Sequence, residues 1–121
     1  MEYLHTNHIV YRDIKPENAM VDHDGYFKLI DMGTAKVINN QRTFTIIGTP
    51  HYMAPEILRG KGYKYSSDLW SIGICLYEFM CGAVPYAENA EDPYEIYDEI
   101  INKTLRFPLM LKDSRAKLLM H

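Results

Sequence analysis

Cysteine is scarce in this chain: its 121 residues include only Cys75 and Cys81, both in one apolar segment. Their spacing fits neither a zinc site nor a redox pair, so we expect both thiols to be small buried groups. Long apolar runs are also missing, because the longest, around Ile72 to Met80, is interrupted by Glu78. The first residues do not resemble a secretory signal. We therefore expect a cytoplasmic protein without a membrane span.

An excess of positive charge is missing as well. The formal net charge is -3, and no basic stripe is present, which argues against nucleic acid as a partner. Metal-binding patterns are weak: His5, His8 and His23 show no ligand spacing, and a calcium loop starting at Asp22 would place its last ligand on Gly33. No repeat or low-complexity run divides the chain, so its length corresponds to one domain or part of one.

The apolar pattern predicts a mainly α-helical chain with a small β hairpin. Strands are expected at 19–21 and 26–30, because Asp24-Gly25 between them supplies the positive φ of a tight turn. A further β-prone piece lies at 8–11. Helices are predicted at 2–6 (the end of a longer helix), 54–59, about 68–81, 92–102 and from 113 onward.

Two of these segments differ from ordinary surface structure. The helix at about 68–81, capped by Ser66-Ser67-Asp68, is apolar on all sides, which predicts a buried central helix. The segment 34–52 has no sustained periodicity and contains glycine and proline breaks, so we predict a long irregular loop. Such loops inside compact domains usually carry function.

Three motifs carry the chemistry: YRDIKPEN at 11–18, DMG at 31–33 and APE at 54–56. Phosphoryl transfer needs a carboxylate near the attacking hydroxyl, a cation on the transferred phosphate and oxygen ligands for magnesium. Asp13 and Lys15 can supply the first two groups. Asn18 and Asp31 offer the hard oxygen ligands that magnesium prefers. The predicted hairpin returns Asp31 to the side of Asn18.

These motifs, in this order, resemble the eukaryotic protein kinase family. The resemblance covers essentially all of residues 1–121. It implies a partial large (C-terminal) lobe of a protein-kinase-like fold, with a catalytic loop at 11–18, a magnesium motif at 31–33 and an activation segment at 31–56. Tyr11 and Met32 replace the usual histidine and phenylalanine, and we expect both to be apolar packing positions.

Tyrosine at position 11 is common in the branch that contains the cyclic-nucleotide-dependent kinases. The stretches 48–56, 75–82 and 91–97 resemble most closely the cGMP-dependent kinases of protists. The resemblance implies ATP and Mg²⁺ as cofactors. It assigns catalysis to Asp13, Lys15 and Thr49, magnesium binding to Asn18 and Asp31, the floor of the adenine pocket to Met20 and Ile30, and structural anchoring to Glu56 and Asp68.

The stretch 42–50 resembles the activation segment of the same branch, in which the residue matching Thr45 is phosphorylated. A phosphate there would find Arg12 as its natural partner and Lys36 as a second one. Thr43 is the competing acceptor. Thr49, between Gly48 and Pro50, follows the pattern of serine/threonine kinases and argues against tyrosine specificity.

Two acidic residues predict the substrate. Glu17 and Glu78 match positions that receive a basic residue upstream of the target in basophilic kinases. A carboxylate in an apolar helix needs a partner, which is either a substrate arginine or an internal Lys or Arg. We therefore expect protein substrates with Arg or Lys before the target Ser or Thr.

The sequence contains no Gly-x-Gly-x-x-Gly loop. We therefore expect the small lobe to be absent and the chain to be inactive alone, as a piece of a longer kinase. A regulatory cyclic-nucleotide-binding region of the full chain is an implied partner.

Two other hypotheses remain. One is a non-catalytic module, derived from a kinase, that binds substrates or regulators; the intact catalytic and magnesium residues argue against it. The other is a small-molecule phosphotransferase. The motif at 54–56 and the long segment before it argue against a small-molecule substrate, because both features serve protein substrates.

Overall fold

The computed structural model describes residues 1–120. The fold is mainly α-helical with a small β hairpin, as the sequence predicted, and it has a second two-stranded antiparallel ladder that the sequence did not predict. The helices are α1 Glu2–Thr6, α2 Pro55–Leu58, α3 Tyr65–Cys81, α4 Pro93–Asn102 and α5 Ser114–Met120, and the strands are β1 Ile9–Val10, β2 Ala19–Val21, β3 Phe27–Leu29 and β4 Lys36–Val37. Short 3₁₀ turns occupy Pro16–Asn18, Met32–Thr34 and Pro50–Tyr52. None of the helices within 1–120 is long and apolar enough to cross a membrane.

The predicted hairpin is confirmed. β2 pairs with β3 so that Ala19 lies opposite Leu29 and Met20 opposite Lys28. Gly25 has the positive φ of 85° that the turn requires. The carboxylate of Asp22 accepts the amides of Asp24 and Tyr26 at 3.0 and 2.9 Å, which closes the turn around a side chain as well as the backbone.

The prediction of an irregular loop over 34–52 is wrong in part. β4 pairs with β1, with Val37 opposite Ile9 and Lys36 opposite Val10. An isolated antiparallel bridge also joins Thr43 to Tyr63. A two-residue strand has no readable period, so only its distant partner makes it a strand.

The central helix begins earlier than predicted. α3 starts at Tyr65 rather than near 68, and it ends at Gly82, which has a φ of 84°. Ser67 and Asp68 therefore lie within its first turn, where the hydroxyl of Ser67 accepts the amide of Lys64, the residue before the helix, at 3.3 Å. Their side chains are used for contacts with other segments, as described below.

α3 is not buried on all sides, contrary to the prediction. Leu69 is 57% exposed and Phe79 is 59% exposed, whereas Ile74 and Cys75 are buried. The rest of residues 1–120 leaves the side chains of Leu69 and Phe79 more than half uncovered. Cys75 is buried as expected, but Cys81 is only half-buried.

The main core lies directly behind the 11–18 loop. It joins that loop to the 50–52 turn, α3 and α4. Its buried members are Tyr11, Ile14, Tyr52, Ile74, Cys75, Tyr86, Ile96 and Ile100. The position of the loop is therefore set by the same packing that assembles the helices.

The remaining predicted helices are confirmed, and their first turns show why. Asp92 precedes α4 and accepts the amide of Tyr94 at 3.0 Å, and Pro93 occupies the first helical position. Asp113 precedes α5 and accepts the amides of Arg115 and Ala116 at 2.8 and 3.1 Å.

Candidate active site

α3 holds the backbone of the 11–18 loop through one buried carboxylate. Asp68 is 1% exposed. Its two oxygens accept the amides of Tyr11 and Arg12, each at 3.0 Å. His5 of α1 donates from Nε2 to the same carboxylate at 2.9 Å. Three donors satisfy the buried charge and fix the chain immediately before Asp13. The contact of His5 was not predicted, because nothing local in the sequence pairs α1 with α3.

Three of the predicted residues meet around Asp13. Thr49 donates its hydroxyl to Oδ1 of Asp13 at 2.9 Å. Asn18 donates Nδ2 to Oδ2 of Asp13 at 3.1 Å and to its backbone carbonyl at 2.9 Å. Lys15 lies 3.2 Å from Oδ2 and donates to the Thr49 hydroxyl at 2.8 Å. The carboxylate is thus oriented from three directions. Because it is acceptor-only, with about four lone-pair positions, it can still take a substrate hydroxyl.

Asp31 lies next to this group because of the hairpin. The amide of Ile30 donates to the carbonyl of Asn18 at 3.0 Å, and Asp31 is the following residue. Asp31 adopts a φ of 60°, and its Oδ1 accepts the amide of Gly33 at 3.0 Å. Since Asn18 uses Nδ2 for Asp13, its Oδ1 remains an oxygen ligand.

The donor set fits magnesium. A carboxylate and an amide oxygen are the hard ligands that this ion accepts. Within residues 1–120, no three or more His, Cys, Asp or Glu side chains are grouped to hold a metal. A magnesium ion at Asn18 and Asp31 would therefore complete its coordination with phosphate and water oxygens, as is usual for this ion.

Tyr11 does more than fill an apolar position, which corrects the prediction. The residue is fully buried, but its hydroxyl donates to the carbonyl of Ile30. Its own carbonyl accepts the hydroxyl of Thr34 at 2.9 Å. Tyr11 therefore contacts both flanks of the 31–33 motif. Burial, with the nearby charges of Asp31 and Asp13, raises the pKa of Tyr11, so its hydroxyl remains a donor.

The residues predicted to face adenine are accessible. Met20 is 54% exposed and Ile30 is 43% exposed. Because side chains alternate along paired strands, these two residues share one face of the hairpin, the face of Asn18. Met32 is also about half exposed, so the prediction that it is a packing residue is wrong within the described chain.

The two candidate phosphate acceptors differ in access. Thr45 is exposed, whereas Thr43 is buried and its hydroxyl accepts Nζ of Lys36 at 3.0 Å. Arg12 donates Nε to the carbonyl of Thr34 at 2.6 Å, and its buried Nη1 has no partner within 1–120. Thr45 is therefore the accessible acceptor, and Arg12 retains a free donor.

Glu78 is half-buried and has a tyrosine, not a cation, as its partner. The hydroxyl of Tyr52 donates to Oε2 of Glu78 at 2.7 Å. No Lys or Arg of residues 1–120 pairs with Glu78. Burial, together with the charges of Glu78 and Glu17, raises the pKa of Cys75 to about 12.

Glu56 links two helices. Its Oε1 accepts the hydroxyl of Ser67 at 2.9 Å, which ties α2 to the first turn of α3.

Comparisons with known proteins identify the family of the chain. The family model described as the protein kinase domain matches residues 1–119. A cGMP-dependent protein kinase of Toxoplasma gondii is 52% identical over 116 residues, which is 96% of this chain and 12% of the relative. A cGMP-dependent protein kinase of Plasmodium berghei is 52% identical over 114 residues, covering 94% of this chain and 13% of the relative.

A cAMP-dependent protein kinase catalytic subunit of Arthrobotrys oligospora is 40% identical over 119 residues, covering 98% of this chain and 22% of the relative. The chain thus spans 12% to 22% of the length of these relatives. The family model covers nearly the whole chain, and the chain belongs to the protein kinase family.

Proposed function

We propose that this chain carries the catalytic base, the magnesium ligands and the substrate-facing surface of a serine/threonine protein kinase. The observation that carries the proposal is the position of Asp13, which accepts Thr49 at 2.9 Å and Asn18 at 3.1 Å and lies 3.2 Å from Nζ of Lys15. In this proposal the chain acts as part of a longer kinase, in the cytoplasm, and is inactive alone.

Each residue has a separate role in the transfer. Asp13 orients the substrate hydroxyl and accepts its proton as the new O–P bond forms and the bond to the ADP leaving group breaks. Lys15 balances charge on the transferred phosphate, and Thr49 holds Asp13 and Lys15 together. Asn18 and Asp31 would hold magnesium, which would neutralise charge on the phosphates of ATP, the donor of the phosphoryl group.

The acidic pair supports a preference for basic substrates. Glu17 and Glu78 influence the same buried groups, and neither has a Lys or Arg partner within residues 1–120. A half-buried carboxylate that lacks a cation is suited to an arginine of the substrate. The substrates are therefore proteins with Arg or Lys before the target Ser or Thr.

The proposed regulation involves phosphorylation of Thr45 and a cyclic-nucleotide-binding region. Phosphate on the exposed Thr45 would take up the free donor of Arg12, with Lys36 as a second contact. The relatives named cGMP-dependent kinases suggest a cyclic-nucleotide-binding region of the longer protein as a partner.

A phosphotransferase assay tests the proposal. The full-length protein that carries this chain is incubated with Mg²⁺, ATP and serine peptides that differ only in upstream Arg, Glu or following Pro. We expect turnover of the Arg peptide, lost by about 10²- to 10⁴-fold in Asp13→Ala. Equal use of the three peptides would contradict the substrate preference. Full turnover by Asp13→Ala would contradict the catalytic assignment.

A further inference from the structure

Ala87 has a backbone conformation that neighbouring side chains maintain. Its φ is 46°, in the left-handed region that L residues rarely adopt. Its amide donates to Oε2 of Glu99 at 2.7 Å, and its carbonyl accepts Nε2 of His51 at 3.1 Å. We call these three residues the Ala87 clamp. Such strain persists only where the surroundings over-determine the geometry.

The clamp joins the 50–52 turn to α4. His51 lies in that turn, two residues after Thr49, and Glu99 lies in the last turns of α4. The other oxygen of Glu99 pairs with Lys103, which holds the pKa of Glu99 below its usual range. Glu99 is therefore ionised near neutral pH and remains an acceptor for the Ala87 amide.

The 49–52 stretch is anchored through three side chains. Thr49 binds Asp13, and Tyr52 binds Glu78. His51 binds the carbonyl of Ala87, which belongs to neither group. The first two anchors are explained by the base and the acidic pair. The third has no role in the chemistry described above, and together with the contact between Ala87 and Glu99 it adds a polar link between the turn and α4.

We propose that His51 is a positioning residue for phosphoryl transfer. Through the Ala87 clamp it holds the turn so that Thr49 stays between Asp13 and Lys15. His51 contacts no reacting atom. The inference rests on the proposed function, because it assigns His51 to the reaction that Asp13 would perform.

The test is a double-mutant cycle in the full-length protein that carries this chain. In His51→Ala we expect kcat to fall about tenfold with KM for ATP unchanged, because small misplacements of a catalytic group reduce rate steeply. His51→Gln, whose amide can donate to the same carbonyl, restores most of the rate. Glu99→Ala causes a similar loss. The double variant loses little more, because both side chains act through Ala87.

Two further variants separate positioning from simple stability. Ala87→Gly in the His51→Ala background should recover part of kcat, because glycine adopts the left-handed conformation without the clamp. His23→Ala is the matched control, since His23 is exposed in the hairpin turn and, among residues 1–120, pairs only with Asp24. An unchanged kcat in His51→Ala, or fully additive losses in the cycle, would overturn the inference.

Amide hydrogen exchange tests whether the Ala87 clamp holds the turn, and it does not depend on catalytic turnover. The amides of Tyr52 and Met53 donate to the carbonyls of Thr49 and Pro50 within the turn. His51→Ala should speed exchange at both, and His51→Gln should not. Unchanged exchange in His51→Ala would overturn the clamp itself. Activity that survives Asp13→Ala would instead refute the proposed function and leave this exchange result standing.

Discussion

The two sides of the candidate site differ in how far this chain supports them. On the base side, Asp13 accepts hydrogen bonds from Thr49 and Asn18 and pairs with Lys15, and the buried Asp68 holds the backbone beside it. On the hairpin side, the apolar residues predicted to face the nucleotide are about half exposed. The difference shows that the predicted base is ordered by contacts within the chain, whereas the surface predicted to face the nucleotide presents apolar groups that residues 1–120 do not cover.

Loss of the Asp68 carboxylate should be the most damaging change to the base side. Asp68→Ala leaves the buried amides of Tyr11 and Arg12 without an acceptor, which should lower the free energy of unfolding by about 3–5 kcal/mol. Urea denaturation measures this change in the free energy of unfolding. The matched control is Asp24→Ala, an exposed turn residue, which should change stability by about 0.5 kcal/mol or less. Equal effects of the two variants would contradict the anchoring role.

Removal of the Thr49 hydroxyl should come next. Thr49→Val keeps the shape but breaks the contacts with Asp13 and Lys15, so we expect kcat of the full-length protein to fall about 10- to 100-fold. Thr49→Ser retains the hydroxyl and should keep most of the rate. Steady-state kinetics separates kcat from KM. A valine variant as active as the serine variant would show that the bridge is dispensable.

A paired truncation sharpens the contrast between the two sides. Ile14→Ala, in the core behind the base, should cost about 2–4 kcal/mol of unfolding free energy. Met20→Ala, on the exposed hairpin face, should cost about 0.5 kcal/mol or less while it raises KM for ATP in the full-length protein. Thermal unfolding and kinetics provide the two measurements. A large stability loss at Met20 would mean that the hairpin face is packed.

The smallest effect concerns the hairpin turn and pH. Hydrogen bonds from Lys28 and from the amide of Tyr26 lower the pKa of Asp22. Because the pKa of Asp22 is lower in the folded chain, its ionised carboxylate stabilises the turn at pH values above the unfolded pKa of about 3.9. This stabilisation is lost as the pH falls through the folded pKa. NMR shifts of the Asp24 and Tyr26 amides should follow that titration. Asp22→Asn should abolish this titration of the amide shifts. An unchanged titration in that variant would show that another group causes it.

The local elements were predictable because their signals are local. Asp92 and Pro93 mark the start of α4, Gly82 marks the end of α3, and Asp24-Gly25 marks the hairpin. The start of α3 was misplaced because serine and aspartate resemble caps, whereas Ser67 and Asp68 bind groups from other segments. Their partners lie far away in the sequence and leave no local pattern.

The site was predictable as a set of groups but not as an arrangement. The motif residues predicted a base, a cation and oxygen ligands for magnesium. The sequence did not predict three contacts, because each joins residues that lie far apart in the chain. They are the contacts of the Tyr11 hydroxyl, of the His5 imidazole and of His51 in the Ala87 clamp. Exposure of one face of α3 was missed for a related reason: an apolar pattern shows which side chains favour burial, not which neighbours are present.

By itself, the sequence determined which chemical groups are available and in which order, and hence the family and the expected reaction. Only the tertiary structure decided which groups meet. Thr49 reaches Asp13 across 36 positions and His5 reaches Asp68 across 63. The physical reason is that hydrogen bonds and ion pairs act over a few ångströms, so the packing of α3 and α4 behind the 11–18 loop has to bring these groups within range.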